Sequence, residues 1–304
     1  MTEVVALVEI IGVEQTGVVV GVDGSEYGQA ATAWAADTAL AYGNPLTVLH
    51  ARPDVAAQPE LITEPSGPLG EAVELARSRH PGLDVRALQM PDSPVASLLA
   101  ASASADVVVI GSRGVEGFRG LLLGSTALHL APYAQCPVVV VHLPGTDEYE
   151  FAGAGNPGQV VLGYDGSPAS NRSAAFAFRH AEALGCGVVV VTVEPGRGEP
   201  ESVEVNPRLA VPGSDTGAFT APVIVTASSF PDVPVSFVAG SGRPAEVLLT
   251  EAVGAELLVV GSRGMGGFAG LVMGSVSQKV VAHARCPVAI LHAGIDASTA
   301  AGLD

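Results

Sequence analysis

Basic residues are scarce in this chain. Lys and Arg number 14 against 31 Asp and Glu, for a formal net charge of -17. A surface this acidic repels nucleic acid and anionic lipid, which excludes both as main partners. An anionic ligand has to be held locally, by backbone N–H groups and a few arginines. The single lysine is Lys279. Cysteines number 3, an odd number that builds no disulfide framework and fits a reducing cytoplasm. Cys136 and Cys286 each stand before a proline and an apolar run, as small packing residues do. His50, His129, His142 and His292 show no metal-ligand spacing and read as structural. No GxSxG nucleophile elbow is present. The apolar stretch Met1 to Val13 is interrupted by Glu3 and Glu9 and lacks a basic region and a cleavage signal. It is too short to span a bilayer, which takes about 20 residues, and reads as an extra strand or packed arm.

What the chain does have is length, apolar content and internal symmetry. Its 304 residues are 48% hydrophobic, enough for two domains with proper cores. GSRGVEGFRGLLLGS from Gly111 returns as GSRGMGGFAGLVMGS from Gly261. VVVGVDGS ending at Ser25 returns as VVLGYDGS ending at Ser167, and CPVVVVHL from Cys136 as CPVAILHA from Cys286. The order is the same each time, so the chain is a duplication. Its boundary falls in the Gly/Pro/Glu-rich stretch Gly145 to Gly158, giving domains over 1–152 and 153–304.

Within each copy, short β-branched runs alternate with helical stretches. In copy one, strands are expected at Gly17–Val22, Leu46–Ala51, Leu83–Gln89, Asp106–Ile110 and Val138–His142. Helices are expected from Ser25 to about Tyr42, and over Leu69–His80, Ser93–Ser104 and Ser125–Ala134. Copy two repeats the strands near Gln159–Leu162, Gly187–Val193, Val233–Ala239, Leu257–Val260 and Val288–Leu291. Its stretch Glu194 to Thr220 is rich in Gly, Pro and Glu and reads as a long mobile loop, followed by a helix near Thr220–Ser229. Alternating strands and helices imply right-handed crossovers and a parallel sheet with helices on both faces. Ligands in such sheets lie beyond the C-terminal strand ends, where strand order reverses. The loops after strands one and four meet there. They carry Gly21, Asp23 and Gly111 onward, then Gly163, Asp165 and Gly261 onward.

The loop after strand four leaves a buried strand, passes closely spaced glycines and enters a helix at Ser125 or Ser275. Gly111, Gly114, Gly117, Gly120 and Gly124 permit positive φ and leave no Cβ to block close approach. Backbone N–H groups can then line a nest for anionic oxygens, and the helix start adds free N–H groups and a positive dipole end. Ser112, Ser125 and Thr126, with Ser262, Ser275 and Val276, flank the same path. Between the copies the sequence has changed at Val115, Glu116, Arg119, Leu122 and Leu123 but not at the shared glycines and serines. The loop is not a Walker motif, because no lysine precedes Ser125 or Ser275. Nor is it the dinucleotide fingerprint, whose glycines follow strand one. Asp23 and Asp165 would accept a hydrogen bond from an adenine amino group or a ribose hydroxyl; alternatively they form Asx-turns or caps ahead of Ser25 and Ser167. Arg113 and Arg263 face the same choice between a phosphate and a surface acid.

The pattern Gly-x2-Gly-x9-Gly-Ser, the strand-one Asp and the closing Cys-Pro-Val strand together resemble the universal stress protein family. The matching residues are Gly111, Gly114, Gly124 and Ser125, then Gly261, Gly264, Gly274 and Ser275, with Gly117 and Gly267 inside the loops. The resemblance runs over about 16–143 and 158–293, making this a tandem member. It implies two Rossmann-like (adenine nucleotide alpha hydrolase-like) domains, each a five-stranded parallel sheet with helices on both faces. It also implies ATP as ligand, with any Mg2+ carried by the phosphates, a cytoplasmic stress-response or dormancy role, and homodimers pairing fifth strands at sheet edges. Members of the family commonly carry Gly-x-Pro-Ala at the third helix. Copy two keeps it as Gly242-Arg243-Pro244-Ala245, whereas copy one has Asp92-Ser93-Pro94-Val95.

The leading function is therefore a regulatory ATP-binding protein with one nucleotide site per domain. Alternatives on the same fold are a slow ATPase or adenylyl-transfer enzyme, a flavin module, and a structural partner with empty sites. No catalytic lysine and no catalytic metal set accompany the loops, so hydrolysis is expected to be weak at most.

Overall fold

The computed structural model describes residues 17–54, 58–114, 124–143, 155–195, 202–205, 215–265 and 273–292. The N-terminal arm, the boundary between the copies, Gly117, Gly120 and Gly267 lie outside the described residues. Copy one runs β1 (Gly17–Gly21), α1 (Glu26–Tyr42), β2 (Leu46–Ala51), β3 (Glu60–Leu61), α2 (Gly67–Arg79), β4 (Val85–Met90), α3 (Pro94–Ser102), β5 (Ala105–Gly111), α4 (Ser125–Leu130) and β6 (Val138–Val141). Copy two runs β7 (Val160–Gly163), α5 (Pro168–Leu184), β8 (Val188–Pro195), β9 (Ser202–Val205), α6 (Asp215–Ser228), β10 (Val235–Gly242), α7 (Pro244–Glu251), β11 (Leu257–Gly261), α8 (Ser275–His283) and β12 (Val288–Leu291).

The expected strands appear with ends shifted by a few residues. Ser25 caps α1 by accepting the Gly28 N–H at 3.1 Å, and Gly43 closes that helix at φ 66°. Sequence periodicity missed two short edge strands. β3 adds antiparallel to β4, and β9 adds antiparallel to β10. β9 and the start of α6 fall inside the stretch expected to be one long loop. The helix there begins at Asp215 and runs through Pro222, so the loop is shorter than composition suggested.

Among the described residues, the twelve strands form one sheet in the order β3-β4-β2-β1-β5-β6-β12-β11-β7-β8-β10-β9. In each copy strand one pairs parallel with strands two and four, so the order reverses between β1 and β5 and between β7 and β11. The expected crevice therefore forms twice. The copies join where β6 and β12 pair antiparallel, with Val138 opposite Ile290 and Val140 opposite Val288. Fifth-strand pairing, implied between separate chains, takes place within this one. Among the described residues the sheet edges left over are β3 and β9. The seam residues Val138, Val139, Val140, Val288 and Ala289 are 0% exposed. Burying each large apolar side chain contributes about 1.5–3 kcal/mol, so the seam binds the copies firmly.

Two apolar layers cover the two sheet faces, and each runs through both copies. One contains Val18, Val20, Ala35 and Val73 with Ala174, Phe178 and Leu257. The other contains Val19, Val108, Leu98 and Leu130 with Leu248, Leu258 and Val281. Alternate strand residues point into opposite layers, as strands buried on both faces require.

Candidate functional site

In both copies the loop after strand one meets the loop after strand four. A Cβ on Gly114 would stand 2.5 Å from Asp23 Oδ2, and one on Gly264 would collide with Asp165 Oδ2. No side chain fits between carboxylate and loop. This is the close approach that the glycines were expected to serve, although the neighbour is an aspartate of the chain itself. Positive φ plays no part at the described glycines of this motif: Gly111, Gly114, Gly124, Gly261, Gly264 and Gly274 all lie outside that region.

Each aspartate works at both ends. Asp23 Oδ1 accepts the Ser25 N–H at 3.0 Å and the Ser25 hydroxyl at 2.6 Å. Asp165 Oδ1 accepts the Ser167 N–H at 3.0 Å, while its Oδ2 accepts the Met265 N–H at 2.9 Å. The first oxygen thus makes the Asx-turn, and the second faces the glycine loop. Helix capping falls to the serines: Ser167 Oγ accepts the Ser170 N–H at 3.2 Å in α5, as Ser25 does in α1.

The remaining motif glycines hold the crevice walls together. A Cβ on Gly111 would meet the Tyr27 backbone at 2.7 Å, and one on Gly261 the Ala169 Cβ at 2.9 Å. The strand-four end and the first turn of the next-door helix touch there. Gly21 packs under Leu98 and Gly163 under Leu248, with Cβ distances of 3.1 and 3.0 Å. Gly124 and Gly274 precede α4 and α8 in extended conformation, at φ -70° and -72°. Their N–H groups donate to Ser112 O and Ser262 O at 2.8 Å, closing the loop base. Ser112 and Ser262 are buried beneath it, with N–H groups donating to Val141 O and Leu291 O. The buried Ser262 hydroxyl has no partner among the described residues.

The helix starts are left open. Unlike α1, α3 and α5, helices α4 and α8 have no side-chain cap bond. Helices α2 and α7 also lack one, but each has a proline in its first turn, which removes a donor. Ser125 and Ser275 are exposed at these starts, and Thr126 and Val276 are half-buried, Val276 against the core. First-turn N–H groups that lack a side-chain acceptor suit an external anion. Lys279 points elsewhere, to Glu246 Oε1 at 3.0 Å.

The arginines differ between the copies. Arg113 donates to Tyr27 Oη at 3.1 Å and lies 5.7 Å over the Tyr27 ring. Arg263 is exposed, and Ala169 stands where copy one has Tyr27. Tyr27 was not singled out from the sequence, although aligning the copies exposes the difference. The same alignment exposes Ser277, which replaces Ala127 and donates to Ser262 O at 2.9 Å.

Burial pushes the Cys136 and Cys286 thiols up to about 12, so both are protonated packing groups. Three of the four histidines read as structural bond backbone: His50 Nδ1 to Val22 O at 2.7 Å, His129 Nδ1 to Ser125 O at 2.7 Å and His142 Nε2 to Val281 O at 2.8 Å. Among the described residues no His, Cys, Asp and Glu group could hold a metal, and no helix is long and apolar enough to cross a membrane.

Tandem crevices, each with a carboxylate against a glycine loop, define a class, and comparison with known proteins names it. The model of the universal stress protein family matches residues 16–142 and 158–292. A universal stress protein of Mycolicibacterium smegmatis is 34% identical over 295 residues, covering 90% of this chain and 96% of the relative. One from Mycobacterium tuberculosis is 34% identical over 299 residues, covering 91% and 97%. The crystal structure of a universal stress protein from Archaeoglobus fulgidus superposes with TM-score 0.59 at 19% identity, over 91% of this chain and 98% of that one, a likeness of fold. The chain belongs to the universal stress protein family, with two tandem domains.

Proposed function

We propose that this protein binds ATP in each crevice and acts as a cytoplasmic stress-response or dormancy regulator. The observation that carries the reading is the twofold meeting of a strand-one carboxylate with a glycine loop beside an uncapped helix start. The parts suit the ends of a nucleotide. Asp23 and Asp165 supply acceptors for a ribose or adenine group, and the starts of α4 and α8 supply N–H donors for phosphate. The buried Ser262 hydroxyl, without a partner among the described residues, offers a further donor beneath the loop. Arg263 adds positive charge at the rim of copy two. Backbone donors and a helix dipole stabilise a bound polyphosphate in ground state and transition state alike, which favours holding over cleaving. Any Mg2+ would arrive with the phosphates. Assembly of two chains through sheet edges would fall on β3 or β9.

The test is to denature the purified protein and identify the small molecules released, with stoichiometry per chain. ATP at one to two equivalents, about one per crevice, is the expected result. A protein that releases no nucleotide and shows no saturable binding of added ATP would overturn the proposal.

A further inference from the structure

Apart from the sheet seam, the copies touch through the helices that follow strand one, and that contact is built around one histidine. His180 of α5 is 0% exposed. Its ring stacks on Trp34 of α1 at 5.6 Å and on Phe176 of α5 at 5.8 Å. Tyr42 of α1 meets it edge-on at 5.8 Å, with Oη 2.8 Å from Nδ1. The other ring nitrogen, Nε2, is buried and has no hydrogen-bond partner among the described residues. The ring of copy two therefore takes its hydrogen bond and two of these three aromatic neighbours from copy one.

We propose that His180 is an acid-sensitive latch between the two domains: proton uptake at its ring parts α1 from α5 while β6 and β12 stay paired. A neutral imidazole leaves only one buried nitrogen unsatisfied. An imidazolium places a net charge in this buried cluster and carries N–H donors on both nitrogens, with nothing among the described residues to accept the one on Nε2. The Tyr42 hydroxyl would also have to serve as acceptor. The charged groups acting on the cluster work against a cation or face elsewhere. Arg179, the preceding residue of α5, is a like charge lying 5.9 Å over the Phe176 ring. Asp106, at the start of β5, acts on Tyr42 while its carboxylate accepts the Asn44 amide at 2.7 Å. Asp37 of α1 is committed to Arg79 and His80. Strands β6 and β12, packed against α1 and α5, contribute only Val138–Val141 and Val288–Leu291, and residues 222–228 of α6 are uncharged.

Aromatic faces attract cations, but burial dominates here and, with Arg179, pulls the His180 pKa down to about 4. The unfolded ring titrates near 6.5. The latch is therefore fully formed above pH 6.5 and weakens as pH falls from there toward 4. The paired strands themselves, Val138–Val141 and Val288–Leu291, carry no titratable side chain, while His142, next after β6, bonds Val281 O of the other copy through Nε2 at 2.8 Å. The inference does not depend on nucleotide binding.

Trp34 is the only tryptophan, so its fluorescence reports on the latch directly. In the full chain, lowering the pH from 7.5 to 4 (a span bracketing the two titration limits) is expected to quench Trp34. Hydrogen exchange should rise in α1 and α5 over the same window, while the amides of β6 and β12 stay protected. His180→Phe, which keeps an aromatic ring in the cluster, and His180→Gln should both lose the Trp34 transition. If either folded variant keeps it at the wild-type midpoint, the proposal is wrong. If neither variant folds, NMR titration of the wild-type His180 ring decides. Titration together with the Trp34 transition upholds the latch, and a ring that stays neutral through that transition overturns it.

Discussion

The two crevices share a backbone plan and differ in how their side chains restrain it. In copy one, Tyr27 holds Arg113 by a hydrogen bond and its ring face, and Ser93 caps α3 by accepting the Ala96 N–H at 3.3 Å. In copy two, Ala169 leaves Arg263 exposed, and Arg243 stands at the cap position of α7 without capping it. There Met265 N–H donates to Asp165 at 2.9 Å and Ser167 Oγ to Arg263 O at 3.4 Å, tying the two loops together. Gly242 reaches φ 109°, where copy one has Asp92. Copy one engages Arg113 with Tyr27, whereas copy two leaves Arg263 exposed and pairs Arg243 with Glu246 at 3.0 Å. A duplicated frame thus fixes where a site lies, and single side chains set how available its charges are.

The largest difference between the copies is expected at the contact of the strand-four end with the next helix. Gly111→Ala drives a Cβ into the Tyr27 backbone, which cannot step aside, and should cost about 3 kcal/mol. Gly261→Ala meets an alanine Cβ and should cost about 1 kcal/mol. Denaturant melts of the two variants measure the gap, and equal losses would mean the helix starts are equally tolerant.

The arginines come next. Arg263→Ala should weaken ATP binding at copy two by about 2 kcal/mol, roughly 30-fold, the scale of a hydrogen bond to a charged group. Arg113→Ala should weaken copy one by only about threefold, since Tyr27 already engages that side chain. Tyr27→Ala should tighten copy one by releasing Arg113. Titration calorimetry reads all three, and matched losses at the two sites would remove Tyr27 as the cause of asymmetry.

Backbone strain gives a smaller effect. Gly242→Ala should lower stability by about 1–2 kcal/mol, because φ 109° disfavours any side chain. Asp92→Gly removes a negative charge from the opposite position in copy one and should raise ATP affinity there by less than about tenfold. The smallest effect is expected at Lys279→His, which copies His129. Its ammonium bonds an exposed Glu246, so ATP affinity and melting temperature should stay within error.

The duplication, the alternating elements and both glycine loops were legible because each is written in local signals: repeated words, apolar runs and caps. The short edge strands β3 and β9 were not legible. β3 has two residues and β9 four, too few to show a period, and both exist only because β4 and β10 offer them hydrogen bonds. The role of Gly111 and Gly261 was read as ligand access. The structure shows a second reason, close packing on α1 and α5. His180 carried no signal at all, since its meaning depends on Trp34 and Tyr42, more than a hundred residues away in sequence.

By itself, then, the sequence determined that there are two copies, that each is a parallel α/β unit, and where the loops must meet. Those facts follow from short-range propensity and from the reversal of strand order. Pairing of the fifth strands with each other inside one chain, the held and the exposed arginine, and the buried histidine between the copies came from the tertiary structure alone. These depend on which side chains are brought together across the sheet and across the seam, and no local pattern records that.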